Sequence, residues 1–247
     1  MKFILSSILA GLATAGLAAA QAGTDWNITN VPSSGLNDLT FPFAFAMASH
    51  ESGYYYANQI SIIDSPDIIY GGFQPRPDNS SGKAVIHGVF SSFINGTTSS
   101  DDNCSGGADG GAGVSCAYEF EVSSYDGTWN LVVTREDSTS TVWSGAAVHA
   151  ETGDSYHIGT FTLPSGTGGL SYAQFGFVEY YPWNGNANWT CKDNIPYTEV
   201  TFYPPTTESA TGGRQTGAVY GFIKDSCKGY GEATTASDGS VTFTIKD

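Results

Sequence analysis

Apolar residues recur at every second position through most of this chain, and clusters of Gly, Asn, Asp and Pro interrupt the pattern. Period two is the signature of strands with one buried face. The segments "KAVIHGVFSSF", "AYEFEV", "WNLVVTRE", "TVWSGAAVHA", "HIGTFTLP" and "LSYAQFGFVEYY" all carry it, as do "TEVTFY", "GAVYGFIK" and the closing "SVTFTI". After residue 20 no stretch shows the i, i+3, i+4 repeat of an amphipathic helix. Many short strands separated by turn residues predict a single all-β domain, an antiparallel β-sandwich or jelly roll of concanavalin-like type. No repeat or linker divides it, and its expected start is near residue 24.

The first twenty residues stand outside that fold. Lys2 precedes the apolar run "FILSSILAGLATAGLA", which closes on small residues. This is the pattern of a secretory signal peptide, with cleavage expected after Ala20 or Ala22. Serine, threonine and glycine break the run too often for a membrane anchor. The expected product is therefore secreted, and no membrane partner is expected. Four cysteines, Cys104, Cys116, Cys191 and Cys227, fit two disulfides in an exported chain. Three pairings are possible, and Cys104–Cys116 with Cys191–Cys227 is favoured because the first pair flanks a turn-rich loop. Zinc ligands usually sit two to four residues apart, and these do not, so no metal or other cofactor is expected. Five N-x-Ser/Thr sequons, at Asn27, Asn79, Asn95, Asn103 and Asn188, mark glycosylation candidates. Signal and sequons together point to a fungal glycoprotein.

Charge narrows the partners. The chain has 24 acidic residues against nine basic ones, a formal net charge of −15. Nucleic acid binding needs a basic patch to displace counterions, and these scattered cations cannot form one. Polyuronates are disfavoured by the same repulsion. Neutral glycans fit better, bound by a chain expected to be a monomer.

Few residues stand out chemically. Alternation in "AYEFEV" sets Glu119 and Glu121 on the face opposite Tyr118, Phe120 and Val122. That spacing permits a glycosidase pair, and it equally describes a solvated strand face. Glu179 ends an apolar strand in "FGFVEYYPWNGNANW" and is followed by Tyr180, Tyr181, Trp183 and Trp189. A carboxyl beside aromatics can have a raised pKa and act as a general acid. The same aromatics could stack on sugar rings, or simply cover a core edge. In "YYY", either Tyr55 or the pair Tyr54 and Tyr56 belongs to the core. The four histidines show no metal-binding spacing, and no serine nucleophile motif is present. "CSGGADGGAGVSC", residues 104–116, lacks the Lys-Ser/Thr of a phosphate loop and the carboxylates of a calcium loop. It reads as a closed turn or as backbone presented to a ligand.

Taken in order, "YGGFQ" with Gln74, "HGVFSSF", the cysteine-bracketed glycine loop, "WNLVVTRE", "WSGAAVHAETG", "HIGTF" and "FVEYY" with Glu179 resemble the secreted β-sandwich family called domain of unknown function 3472. The resemblance runs from Tyr70 to Pro205. It implies a sandwich associated with carbohydrate-related proteins and supplies no established reaction. Relatives carry a glutamate in the glycine loop, where this chain offers Asp109.

The resulting expectation is a secreted protein that binds or hydrolyses neutral cell-wall polysaccharide. Glu179, Gln74 and Tyr181 would be its catalytic residues, and Trp183, Trp189, Tyr180 and Asp109 would bind substrate. A lectin-like module and a secreted effector are the alternatives. A polysaccharide lyase is less favoured, because only Arg76, Arg135 and His87 could neutralise a uronate.

Overall fold

The computed structural model describes residues 20–184, 191–192 and 195–245. The expected leader up to Ala19, with Asn186, Asn188 and Trp189, lies outside the described residues. Strands appear in the order β1 (Ala20–Asn27), β2 (Asp38–Ala44), β3 (Tyr54–Ser61), β4 (Ile68–Arg76), β5 (Ala84–Ser92) and β6 (Cys104–Gly106). They continue with β7 (Val114–Val122), β8 (Trp129–Arg135), β9 (Val142–His149), β10 (Ser155–Thr162), β11 (Ala173–Tyr180) and β12 (Thr198–Phe202). The last are β13 (Thr206–Thr207), β14 (Gln215–Thr216), β15 (Ala218–Ile223), β16 (Gly231–Thr235) and β17 (Val241–Ile245).

They form two antiparallel sheets packed as a β-sandwich, as the alternation predicts. One sheet has the order β15-β1-β11-β3-β4-β5-β7-β6, and the other runs β10-β9-β8-β2-β12-β17-β16 with β13 and β14 at its side. Every segment read as a strand from its alternation is one. Among the strands that the alternation missed are β1, β2 and β3, and there the reason is physical. In β1 and β3 nearly every residue is buried, because both faces of the larger sheet are covered there, so no polar face marks the period. In β2, Pro42 argues against an interior strand. The structure accommodates it because the ladder to β12 uses only Phe43 and Ala44, so the missing N–H is not called upon. The sandwich also starts earlier than residue 24: β1 is paired on both sides from Ala22 onward, and Ala20 already pairs with β11.

Between the sheets lies an aromatic core. Phe43 meets Phe73 and Phe202 edge-on, Trp26 meets Phe41, and Phe90 stacks on Phe161. Such pairs add about 0.5–1.5 kcal/mol each beyond the area they bury. Tyr54 and Tyr56 belong to this core. Tyr55 points the other way and is buried as well, in a second and smaller cluster of Ala20, Ala57, Val89 and Phe177, flanked by Tyr70 and Tyr181. An apolar cluster on the outer face of a sheet is the first sign of a site.

Both expected disulfides form. Cys104 and Cys116 are direct cross-strand partners in the β6–β7 hairpin, and Cys191 joins Cys227. Closing a loop of the first pair's size contributes about 3 kcal/mol in the chain-entropy model. No helix among the described residues is long and apolar enough to cross a membrane.

Candidate functional site

Register across the larger sheet assembles residues that lie far apart in sequence. Ala20 pairs with Glu179, and Glu179 pairs with Tyr55. One step along the register that pairs Tyr56 with Phe73, Tyr55 stands beside Gln74. Gln74 pairs with His87, and His87 with Glu119. Directly paired residues share a face. A single row therefore runs Ala20, Glu179, Tyr55, Gln74, His87, Glu119 across the outside of the sandwich. Strand spacing puts the backbones of Glu179 and Gln74 about 10 Å apart, with Tyr55 between them.

Below this row the floor is apolar. Phe177, Ala57, Gly72 and Val89 form the next row, and Tyr70 follows. Gly72 is required there: a Cβ would lie 1.9 Å from the Tyr56 carbonyl oxygen. Tyr181 leans over the floor from the end of β11, and its hydroxyl accepts a hydrogen bond from Arg76 Nη1 at 3.1 Å.

Arg76 organises the polar flank. Its Nη2 donates to Gln74 Oε1 at 2.8 Å and its Nε to Glu119 Oε1 at 3.1 Å. His87 Nδ1 shares the same Glu119 oxygen at 3.1 Å. Partial burial pushes Glu119 upward, but Arg76 and His87 outweigh it and hold the carboxyl below its ordinary value. Burial, followed by the Arg76 charge, lowers His87. Glu119 is thus a charge partner on a solvated strand face. Its neighbour Glu121 faces Lys83 at 3.4 Å.

Glu179 has the opposite environment. Only 6% of it is exposed, and Asn184 Nδ2 donates to its Oε1 at 3.3 Å. Burial is the main cause that pushes its carboxyl up to about 7; the Asn184 bond works downward and the Asp109 charge upward. A carboxyl poised near neutrality can both accept and return a proton.

The glycine loop supplies the remaining wall. Asp109 sits at its tip with φ 48°, and Tyr70 Oη lies 3.2 Å from each of its carboxylate oxygens. The loop therefore reaches over the floor toward Glu179, whose carboxyl feels the Asp109 charge.

The structure thus brings Glu179, Gln74, Tyr181 and Asp109 onto one face. Tyr180 and Trp183 do not share it. Alternation turns Tyr180 inward against Tyr54 at 5.1 Å, and Trp183 meets Tyr180 edge-on at 5.4 Å beside the main core. Arg135 lies on the other sheet over Trp143, so it cannot join Arg76 and His87 in a lyase site. Tyr55, Tyr70 and Arg76 as site formers were missed or undervalued, because only the cross-strand register reveals them.

Of the sequons, Asn95 is exposed in a turn. Asn79 Oδ1 accepts bonds from Ser81 and Lys83, Asn103 Nδ2 donates to the His157 carbonyl, and Asn27 is half-buried in β1. A separate cavity of about 550 Å³ opens among Glu121, Asp126, Trp129, His149, Asp154 and Tyr156. Its acids and histidine are engaged in their own turns: Asp126 with Ser124, Asp154 with Thr152, and His149 with the Asp126 carbonyl. Its polar groups are committed to structure, whereas among the described residues the buried Glu179 carboxyl holds only the bond from Asn184. Among the described residues no group of three or more His, Cys, Asp or Glu is placed to hold a metal ion.

The chain matches no family model and no curated protein. Among solved structures it is similar to scytalido-glutamic peptidase in two complexes with transition state analogues. These align at 12% and 13% identity, each with a TM-score of 0.47 over 92% of this chain and 98% of the other. It is also similar to SCP-B, a member of the Eqolisin family of peptidases, solved with the tripeptide Ala-Ile-His, at 12% identity and a TM-score of 0.40 over the same shares.

Proposed function

We propose that this chain is an exported hydrolase that cleaves peptide-type acyl bonds on the outer face of its larger sheet. Glu179 serves as general base and then acid, and Gln74 serves as the oxyanion donor. The observation that carries the reading is the bond from Arg76 Nη2 to Gln74 Oε1 within the row that holds Glu179. Arginine only donates, so the carboxamide oxygen faces it and the Nε2 protons remain available as donors. A fixed donor near a buried, proton-exchanging carboxyl is the minimum that acyl hydrolysis needs. The two disulfides fit a chain that folds in an oxidising compartment.

In this mechanism Glu179 takes a proton from water as the water oxygen bonds to the carbonyl carbon. The carbonyl oxygen becomes an oxyanion held by Gln74 Nε2. The C–N bond then breaks, and Glu179 returns its proton to the leaving nitrogen. Apolar and aromatic side chains of the substrate would rest on Phe177, Val89 and Tyr70, beside Tyr181.

A second reading keeps the polysaccharide substrate expected from the sequence, with Asp109 as the partner carboxylate. It is favoured by the position of Asp109, whose charge reaches Glu179. Glycoside hydrolysis needs two such groups. One experiment separates the two. Wild-type protein and Glu179→Gln are incubated with an unfolded, alkylated protein and with a panel of neutral polysaccharides. New α-amino groups, absent with the variant, support peptide hydrolysis. New reducing ends instead support the glycan reading, and neither product removes the hydrolase assignment.

A further inference from the structure

Tyr55 is a side chain of this face whose chemistry the proposed reaction leaves unused. Its ring packs edge-on against Phe177 at 5.5 Å and Tyr70 at 5.7 Å, and only 4% of the residue is exposed. Its hydroxyl oxygen is buried and has no hydrogen-bond partner among the described residues. An unsatisfied buried polar group costs about 1–3 kcal/mol. Phenylalanine would keep both ring contacts without that cost. Unexplained orphans of this kind point to a role that packing does not supply.

Position suggests the role. Tyr55 is the direct cross-strand partner of Glu179, and opposed residues place their Cβ atoms about 4.5–5.5 Å apart. On its other side stands Gln74. Burial first, then Tyr70, Glu179 and Asp109, raise the phenol well above its ordinary value, so it stays a donor across the working pH range.

We infer that Tyr55 is a further catalytic residue, whose hydroxyl donates a hydrogen bond to the attacking water and holds it against Glu179. The water accepts from Tyr55 through one lone pair, donates one proton to Glu179, and keeps its other lone pair for the carbonyl carbon. This rests on the hydrolase reading and serves either substrate, since both reactions begin with water.

The test is Tyr55→Phe, compared with wild type and Glu179→Gln. The variant should lose about 10–100-fold in kcat, the scale of a single positioned donor, with KM changed less than about twofold. Its unfolding free energy should equal or exceed that of the wild type. Full kcat in Tyr55→Phe, while Glu179→Gln is inactive, overturns the inference and leaves the hydrolase reading standing. Lowered stability with unaltered kcat would mark a packing role and also overturns it. A second measurement does not depend on turnover: the Glu179 titration midpoint, followed by NMR on protein carrying ¹³C-carboxyl glutamate. The titratable groups that interact with that carboxyl are Tyr55, Tyr70 and Asp109. Losing a donor that reaches the carboxylate through water should raise the midpoint by roughly half a unit or more. If no substrate is cleaved at all, the hydrolase reading falls, and an unchanged midpoint overturns the Tyr55 inference by itself.

Discussion

Replacing Glu179 by glutamine should change the stability of this protein in a pH-dependent way that no packing change can imitate. Glutamine keeps the shape and the bond from Asn184 but removes the ionisation. In the folded state the carboxyl sits at about 7 against an ordinary 4.5. The gap corresponds to about 3 kcal/mol. Because the folded value is the higher one, the folded chain binds more protons between pH 4.5 and 7, and stability falls as pH rises through that window. The stabilisation of the neutral carboxyl is complete below pH 4.5 and lost above about 7. Urea unfolding of both proteins at pH 4 and pH 8 measures it. At pH 4 the two should agree within about 1 kcal/mol. At pH 8 the variant should be the more stable by about 3 kcal/mol, or roughly 6–12 °C in Tm for a chain of this size. The other carboxyls titrate alike in both proteins and cancel. An equal difference at the two pH values would refute the reasoning, because it would mean that Glu179 ionises in the fold as it does in solution.

Two further outcomes follow from the geometry of the row. Arg76→Lys keeps the charge but loses the planar fork that serves Gln74, Tyr181 and Glu119 together; kcat on whichever substrate the cleavage assay reveals should fall by about tenfold or more, with unfolding free energy within about 1 kcal/mol of wild type. Gly72→Ala forces a Cβ to within 1.9 Å of the Tyr56 carbonyl, so the β3–β4 ladder must shift; thermal melting should show a loss of about 2 kcal/mol or more, and a wild-type Tm would contradict the described register.

The fold class, nine of the strands and the favoured disulfide pairing were legible in the sequence, and Glu179 stood out in it as a carboxyl to watch. All of these are local signals. Alternation needs only neighbouring residues, Cys104 and Cys116 flank a single turn, and Glu179 announces itself by ending an apolar strand beside aromatics. Strands covered on both faces carry no alternation, and so β1 and β3 escaped although they frame the site.

Which residues meet depends on the pairing of distant strands. Glu179, Tyr55, Gln74 and Arg76 come from three strands, and only the antiparallel register across β11, β3 and β4 sets the first three in one row with Arg76 beside them on the same face. A shift of one residue in any of these ladders would turn that strand's contribution into the core. The same parity separates Tyr180 from Tyr181: adjacent in sequence, one faces the core and the other the site. Composition named the aromatics and acids available to this chain. Which of them share a face was fixed by hydrogen-bond pairing between segments as distant in sequence as Ala22 and Ile223, and no local pattern encodes that pairing.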